Sequence, residues 1–187
     1  ELIERLKSDP PHILGLSNYT WSANLNNEIS GLAKSVDAKT MVVWGGPNIN
    51  QTNDGYSEFF RKNPMVDFYA INEGEPGFAN LLRQFIENEA DIKKSKQNPV
   101  DGCVFFDREP ICGKRLDRIE DVDIIPSPYL TGTLDKFFDY DLIPIIETNR
   151  GCPFTCTFCA QGLVSQHKVK MYGIDRVIEE LDYIADH

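Results

Sequence analysis

Three short, mainly apolar runs lie in the first half of the chain and predict buried strands. They cover residues 13–16, 40–44 and 67–71. Strands covered on both faces of a parallel sheet read as continuous apolar stretches, whereas half-exposed strands alternate apolar and polar residues. The runs therefore favour strands inside a parallel sheet.

The segments around these runs place apolar residues three or four positions apart, which is the spacing of one helix face. Ser22 is expected to cap one such helix. The predicted core-facing residues of that helix are Leu25, Ile29, Leu32 and Val36. Pro76 is expected to open another helix. Strands that alternate with helices predict an α/β fold, with a parallel sheet and right-handed crossovers.

In such sheets, ligands bind beyond the carboxyl ends of the strands. Here those ends are Ser17, Gly45-Gly46 and Asn72-Glu73-Gly74-Glu75, all small or polar. We therefore expect the three loops to share one sheet edge and a ligand to lie across it. Simpler interpretations stay open, because the glycines could only end a strand and Glu73 and Glu75 could only stabilise the next helix.

The second half of the chain has fewer regular patterns. Residues 104–106 and 111–112 predict a hairpin, and we interpret 99–140 as a linker that contains it. Residues 142–147 predict a buried strand, and apolar positions between 174 and 184 predict a helix face. A strand, a functional loop and then a helix form the first unit of a β/α barrel, which needs roughly 200 residues or more. We therefore expect a fragment of an enzyme, inactive by itself.

Composition narrows the classes of function. The chain has 187 residues, a net charge of −10, five cysteines and 41% hydrophobic residues. An acidic chain is a poor partner for phosphate backbones, so nucleic acid is not an expected partner. No apolar run is long enough to span a membrane, and no secretory leader is visible. Clustered cysteines favour a reducing, cytoplasmic location. Trp21, Trp44, Cys103 and Cys112 are expected to be packing residues.

The most specific motif is the C-x-x-x-C-x-x-C run of Cys152, Cys156 and Cys159. Three thiolates so close along one loop can face a single point. Fe–S clusters are usually held by four cysteine thiolates, so three leave one iron open. An open metal position is where substrate or cofactor chemistry can occur.

Two other interpretations of the three cysteines stay open at this point. They could bind a structural zinc ion together with His167, although the gap from Cys159 to His167 is longer than the usual ligand spacing. They could also be free thiols.

The run from Arg150 to Cys159, including Phe158, resembles the cluster loop of radical S-adenosylmethionine (SAM) enzymes. Residues 147–154 resemble the subset with an N-terminal cobalamin-binding-type domain. The resemblance implies a [4Fe–4S] cluster on the three cysteines and SAM on its unique iron, with Phe158 near the adenine. It further implies reductive cleavage of SAM to a 5′-deoxyadenosyl radical, a small-molecule substrate and an electron donor such as ferredoxin or flavodoxin.

The N-terminal half resembles the same subset, because Gly15 to Trp21, Gly45-Gly46-Pro47 and Glu73-Gly74-Glu75 occur in its order. This implies a Rossmann-like (flavodoxin-like) cobalamin-binding domain over 1–98 and the start of a radical SAM barrel over 141–187. Ser17, Gly45 and Gly46 would then approach the nucleotide tail or corrin of cobalamin. The family's D-x-H-x-x-G loop, whose histidine ligates cobalt in many members, is absent, and His12 lacks that context.

The resemblance implies part of a radical SAM enzyme, and such enzymes often methylate unactivated carbons or rearrange small molecules. One alternative is a transfer-RNA methylthiotransferase. Those enzymes bind a second cluster through cysteines of the N-terminal domain, and the first cysteine here is Cys103. Another alternative is a zinc-stabilised module without enzymatic activity.

Overall fold

A computed structural model describes residues 2–159, 162 and 167–187. Two compact units meet in sequence between Arg118 and Ile119. The domain boundaries expected at residues 98 and 140 stay predictions. None of the helices within the described residues is long and apolar enough to cross a membrane.

The first unit is an α/β sandwich around one sheet. Its described helices are α1 (Leu2–Ser8), α2 (Ala23–Val36), α3 (Asn53–Lys62), α4 (Gly74–Glu87) and α5 (Ile92–Ser95). Its described strands are β1 (Ile13–Ser17), β2 (Met41–Gly45), β3 (Phe68–Ala70), β4 (Cys103–Asp107) and β5 (Glu109–Cys112). The three strands predicted from apolar runs are thus confirmed, with β3 shorter than expected.

The sheet is mixed, with the strands in the order β1-β2-β3-β4-β5. Strands β1, β2 and β3 pair in parallel, which confirms the predicted arrangement. Strand β4 runs antiparallel to β3 and forms the predicted hairpin with β5. The hairpin therefore extends the sheet beyond its parallel part.

Alternate residues of β2 enter two separate cores, because successive strand side chains point to opposite faces. Met41 and Val43 pack with Leu81 and Phe85 of α4. Val42 and Trp44 pack on the other face, in a cluster that includes Phe60 of α3. Burial on both faces explains why β2 reads as an uninterrupted apolar run.

Helix α2 packs differently from the prediction. Its buried residues are Asn26, Ser30 and Ala33, whereas Leu25 is 62% exposed. The Ser30 hydroxyl accepts a hydrogen bond from the Trp44 indole at 3.0 Å, so a polar position is satisfied inside the interface. Small side chains allow this helix to approach the sheet, which hydrophobic spacing alone did not indicate.

Ser22 occupies the N-cap position of α2 without the expected side-chain cap. Its hydroxyl instead donates to the backbone carbonyl of Ser17 at 2.8 Å. The hydroxyl therefore ties the start of α2 to the end of β1.

Asp67 joins several elements at the amino end of β3. Its carboxylate accepts from the Val42 amide at 2.9 Å and pairs with Lys34 at 2.5 Å and Lys96 at 3.1 Å. The residue is only 8% exposed. A buried charge needs such compensation, because transfer from water is costly.

The second unit is smaller. Its described helix is α6 (Ile174–Asp186), and its described strands are β6 (Asn149–Arg150) and β7 (Lys170–Met171), which pair antiparallel. The helix predicted over 174–184 is confirmed.

The strand predicted over 142–147 is wrong in this structure. Its apolar side chains are exposed, with Ile143 at 89% and Ile145 at 82%. The backbone of Ile145 bonds the Tyr129 hydroxyl through both its carbonyl and its amide, at 2.9 and 3.0 Å. No neighbouring strand pairs with this segment within the described residues, so the first unit of a β/α barrel is not formed here.

We expect Asp67→Asn to lower the free energy of unfolding of the chain by about 3 kcal/mol, because it leaves two partly buried lysines without their carboxylate. Urea denaturation followed by circular dichroism measures the loss. Glu58→Gln is the matched control, since it breaks only the exposed pair with Lys62 and should lower the free energy of unfolding far less, because water and salt screen exposed ion pairs. Equal effects of the two substitutions would contradict the role given to Asp67.

Candidate functional site

Strand register brings the three predicted ligand loops to one edge of the sheet. Ser17 lies opposite Gly45, and Gly45 lies opposite Ala70. Because these strands are parallel, the chain leaves all three at the same carboxyl edge. The expectation of a common edge is confirmed.

A buried polar network stiffens this edge. The Asn18 side chain, 1% exposed, donates to the Asn48 carbonyl at 2.8 Å and to the Tyr69 hydroxyl at 3.2 Å. That hydroxyl in turn donates to the Gly46 carbonyl at 2.8 Å. Burial raises the pKa of Tyr69 far above its ordinary value. The phenol therefore stays protonated and keeps donating at any physiological pH.

The structural requirement for glycine differs among the three glycines at the edge. Gly46 has a φ of 126°, and a Cβ there would lie 2.7 Å from the Asn18 carbonyl oxygen. A side chain at Gly45 would meet only ordinary contacts, and one at Gly74 would meet open space. Packing against Asn18 thus explains Gly46 fully, while Gly45 and Gly74 keep the edge open.

Glu73 is engaged by a basic side chain within the first unit. Its carboxylate lies 3.0 Å from Nε of Arg118, and both side chains are about nine-tenths buried. Glu73 occupies the N-cap position of α4 without a side-chain cap bond, and Glu75 lies in the first turn. Glu73 therefore anchors the loop before α4, and its role in ligand contact stays a prediction.

Trp21 differs from its expected role as a packing residue. Its indole is 81% exposed and stacks on the Tyr19 ring, with centroids 4.7 Å apart. The pair lies in the loop that leaves β1 at the carboxyl edge. Trp44, by contrast, is 1% exposed and packs as predicted.

The cysteine motif lies in a loop whose two ends are joined by the β6–β7 pair. Cys152 is partly buried, Cys156 and Cys159 are exposed, and all three thiols are free. The Cys159 amide donates to the Cys156 carbonyl at 3.1 Å. A Cβ at Gly162 would lie 2.3 Å from that same carbonyl oxygen. The backbone therefore turns tightly around Cys156 and requires glycine at 162.

The donor set fits an Fe–S cluster chemically, because three free thiols on a tight turn can each supply a thiolate ligand. Within residues 2–159, 162 and 167–187, no group of three Cys, His, Asp or Glu side chains is placed to hold a metal ion. His167 lies 3.4 Å from the Gly162 carbonyl. Phe158, expected near adenine, is 91% exposed. Ligation by the three cysteines stays a prediction.

The remaining two cysteines differ from each other. Burial raises the pKa of the Cys103 thiol to about 12, and its sulfur lies 3.4 Å from the Gly77 carbonyl. Cys112 is exposed, so the expectation of a buried residue is confirmed for Cys103 and wrong for Cys112.

No family model matches the chain, but individual proteins do. It is 30% identical, over 95% of its length, to 2-(S-pantetheinyl)-carbapenam-3-carboxylate methyltransferase of Streptantibioticus cattleyicolor. It is also 30% identical, over 95% of its length, to the cobalamin-dependent radical SAM methyltransferase TokK of Streptomyces tokunonensis. The chain is a homologue of cobalamin-dependent radical SAM methyltransferases. The resemblance seen in its motifs is thereby confirmed.

A further homologue is the anaerobic magnesium-protoporphyrin IX monomethyl ester cyclase of Cereibacter sphaeroides, 28% identical over 86% of the chain. The chain spans about a quarter of the length of each of these relatives, 26%. The homology therefore extends over both described units but over only part of each relative.

Sequence reasoning missed the exposed aromatic pair and the network around Asn18. One signal was present for Trp21, since Thr20 and Ser22 flank it and give it no apolar neighbour in sequence. For Asn18 there was none, because its partners Asn48 and Tyr69 lie far along the chain.

We expect iodoacetamide near neutral pH to modify Cys152, Cys156 and Cys159 of the native, metal-free chain and to spare Cys103. Cys112 should react more slowly than a fully solvated thiol, because partial burial raises its pKa. The reactive species is the thiolate, and a buried thiol with a pKa of about 12 supplies almost none. Peptide mass spectrometry measures each site. Denaturant should make Cys103 reactive, and rapid labelling of Cys103 in the native chain would show that β4 is not buried as described.

Proposed function

We propose that the chain carries the cluster loop and the cobalamin-binding sheet edge of a radical SAM methyltransferase. The single observation that carries the proposal is the C-x-x-x-C-x-x-C loop, with its three free thiols, in a chain homologous along 95% of its length to TokK. Loss of metal from a cysteine variant, described below, tests it directly.

The cysteine loop has the task of binding the cluster at three irons. When bound, a [4Fe–4S] cluster supplies the electron for reductive cleavage of SAM. Cys152, Cys156 and Cys159 would provide the thiolates, and three ligands would leave one iron for SAM. Phe158 is an exposed ring within this loop, available to cover the adenine. An electron donor such as ferredoxin or flavodoxin would serve the exposed loop.

The sheet edge has the task of holding cobalamin. Gly45 and Gly74 leave the backbone open to a close approach. Ser17 is exposed, and its carbonyl already accepts hydrogen bonds from Ser22 and Asn26. Its hydroxyl is therefore the group that would hydrogen-bond to cobalamin. The stacked rings of Tyr19 and Trp21 add a flat apolar surface beside this edge. With no D-x-H-x-x-G histidine in the chain, binding would rest on these contacts with no cobalt ligand from that motif.

The reaction we favour is methyl transfer to a small molecule. The two relatives that are 30% identical are both named as methyltransferases, one of them for a carbapenam carboxylate. A cyclase reaction is a second candidate, because the cyclase of Cereibacter sphaeroides is 28% identical. Transfer of label from methyl-labelled SAM to product distinguishes methylation from cyclisation.

We expect Cys156→Ala, in the protein that carries this chain, to reduce iron bound after anaerobic reconstitution to near background. Two thiolates are too few to hold a cluster of this kind. Iron and sulfide analysis with visible absorption measures the loss, and Cys112→Ser serves as the control with an exposed cysteine outside the loop. Full iron content in Cys156→Ala would refute the proposed cluster site.

We expect Trp21→Ala to raise the Kd for cobalamin about fivefold, because a stacked aromatic contact contributes about 1 kcal/mol. Titration of cobalamin followed by visible absorption measures it. The stability of the chain should change little, since the indole is mostly solvated. Tyr140→Ala removes an aromatic ring that is 60% exposed in the second unit, and should leave the Kd unchanged. A Kd unaffected by Trp21→Ala would remove the aromatic pair from the proposed site.

A further inference from the structure

The cysteine loop is closed at its base by a minimal stem. Asn149 pairs with Met171 and Arg150 with Lys170, and the Tyr172 amide donates to the Thr148 carbonyl at 3.1 Å. Two residues per strand form too few backbone hydrogen bonds to hold a long loop, because each contributes only about 1 kcal/mol net. Side chains must therefore add to the closure.

Glu147 supplies such a closure from the first strand to the second. One of its carboxylate oxygens, Oε2, accepts from Arg150 Nε at 2.8 Å and from the Tyr172 hydroxyl at 3.3 Å. The Arg150 side chain is 16% exposed and that of Glu147 is 51% exposed. Burial raises the pKa of Tyr172, so its hydroxyl keeps its proton and continues to donate near neutral pH.

The stem is also fastened to helix α6. The guanidinium of Arg176 lies over the Tyr172 ring, 4.4 Å from its centroid. Its Nη1 donates to the Ile125 carbonyl at 2.6 Å, and its Nε lies 3.2 Å from Glu180. Tyr172 is thus held on its face by a cation and at its hydroxyl by Glu147, which restricts the ring to one position.

This arrangement lies next to the first cysteine in sequence. Arg150 is two residues before Cys152, and Gly151 between them has a φ of 103°, so the chain turns sharply as it leaves the stem. The contacts that fix Arg150 therefore also fix the direction in which the backbone enters the cysteine loop. Glu147 also neutralises the charge of Arg150 at this point.

We propose that Glu147 and Tyr172 are positioning residues that hold together the two strands of the stem below the cysteine loop. Through its ion pair, Glu147 also offsets the positive charge of Arg150 beside the first cluster ligand. The expected effect on the cluster potential rests on the proposed cluster site. The clamp that Glu147 and Tyr172 form is itself a property of the metal-free chain. Removal of the Glu147 charge takes away one negative charge beside Arg150 and so makes the surroundings of the first cysteine more positive. A nearby positive charge stabilises the more negative, reduced cluster and raises its potential.

The test compares Glu147→Gln, Tyr172→Phe and the control Tyr183→Phe in the protein that carries this chain. Tyr183 donates its hydroxyl to Asp135, a residue of the same unit that lies outside the stem, so Tyr183→Phe matches the chemical change of Tyr172→Phe. In the metal-free protein, amide exchange in 148–150 and 170–172 should become about five- to tenfold faster in the first two variants. Tyr183→Phe should leave it unchanged.

In the reconstituted protein, potentiometric titration followed by electron paramagnetic resonance should show a higher cluster potential for Glu147→Gln than for wild type. Tyr172→Phe keeps the Glu147 charge and should not shift the potential, although its cluster should be lost faster to a chelator.

Exchange rates equal to wild type in both variants would overturn the clamp. An unchanged potential in Glu147→Gln would overturn the charge compensation. If wild type binds no iron, the proposed function fails, and the exchange rates still decide the clamp.

Discussion

Parallel pairing of β1, β2 and β3 is the constraint on which the first unit depends. It places Ser17, Gly45 and Ala70 side by side in register, and so decides which loops can meet. The pairing is stabilised at both ends by buried polar groups. Asp67 collects two lysines and a backbone amide at the amino end, and Asn18 and Tyr69 join the loops at the carboxyl end. Between these ends, β2 is buried on both faces.

The two candidate sites differ in how far the chain organises them. The sheet edge is rigid before any ligand arrives, because Asn18 and the Tyr69 hydroxyl are buried and hydrogen-bonded to backbone carbonyls. The cysteine loop is organised at its stem and around Cys156, while its thiols are not gathered into a metal site among the described residues. Metal ligands commonly come together only as the metal binds, because binding and ordering share one free energy. A preformed stem lowers the ordering cost of the remaining loop.

Several apolar side chains of the second unit are exposed. Ile143 and Ile145 face solvent, as do Ile174 and Ile178 on α6. These residues produced strong sequence patterns for a strand and a helix, and only the helix formed. A helix satisfies its backbone hydrogen bonds within itself, whereas a strand needs a neighbouring strand. The same apolar pattern therefore has different outcomes where no described strand pairs with the segment.

The sequence by itself determined the features that depend on local pattern. These are the three buried strands, the hairpin after them, helix α6 and the cysteine spacing that indicated the homologous family. Only the tertiary structure decided the buried face of α2, the exposure of Trp21 and Cys112, and the failure of 142–147 to form a strand. It also decided the contacts that join distant positions, such as Asn18 with Tyr69 and Glu147 with Tyr172. Periodicity reports which residues share a face, but the residues that a face meets depend on how elements far apart in sequence pack together.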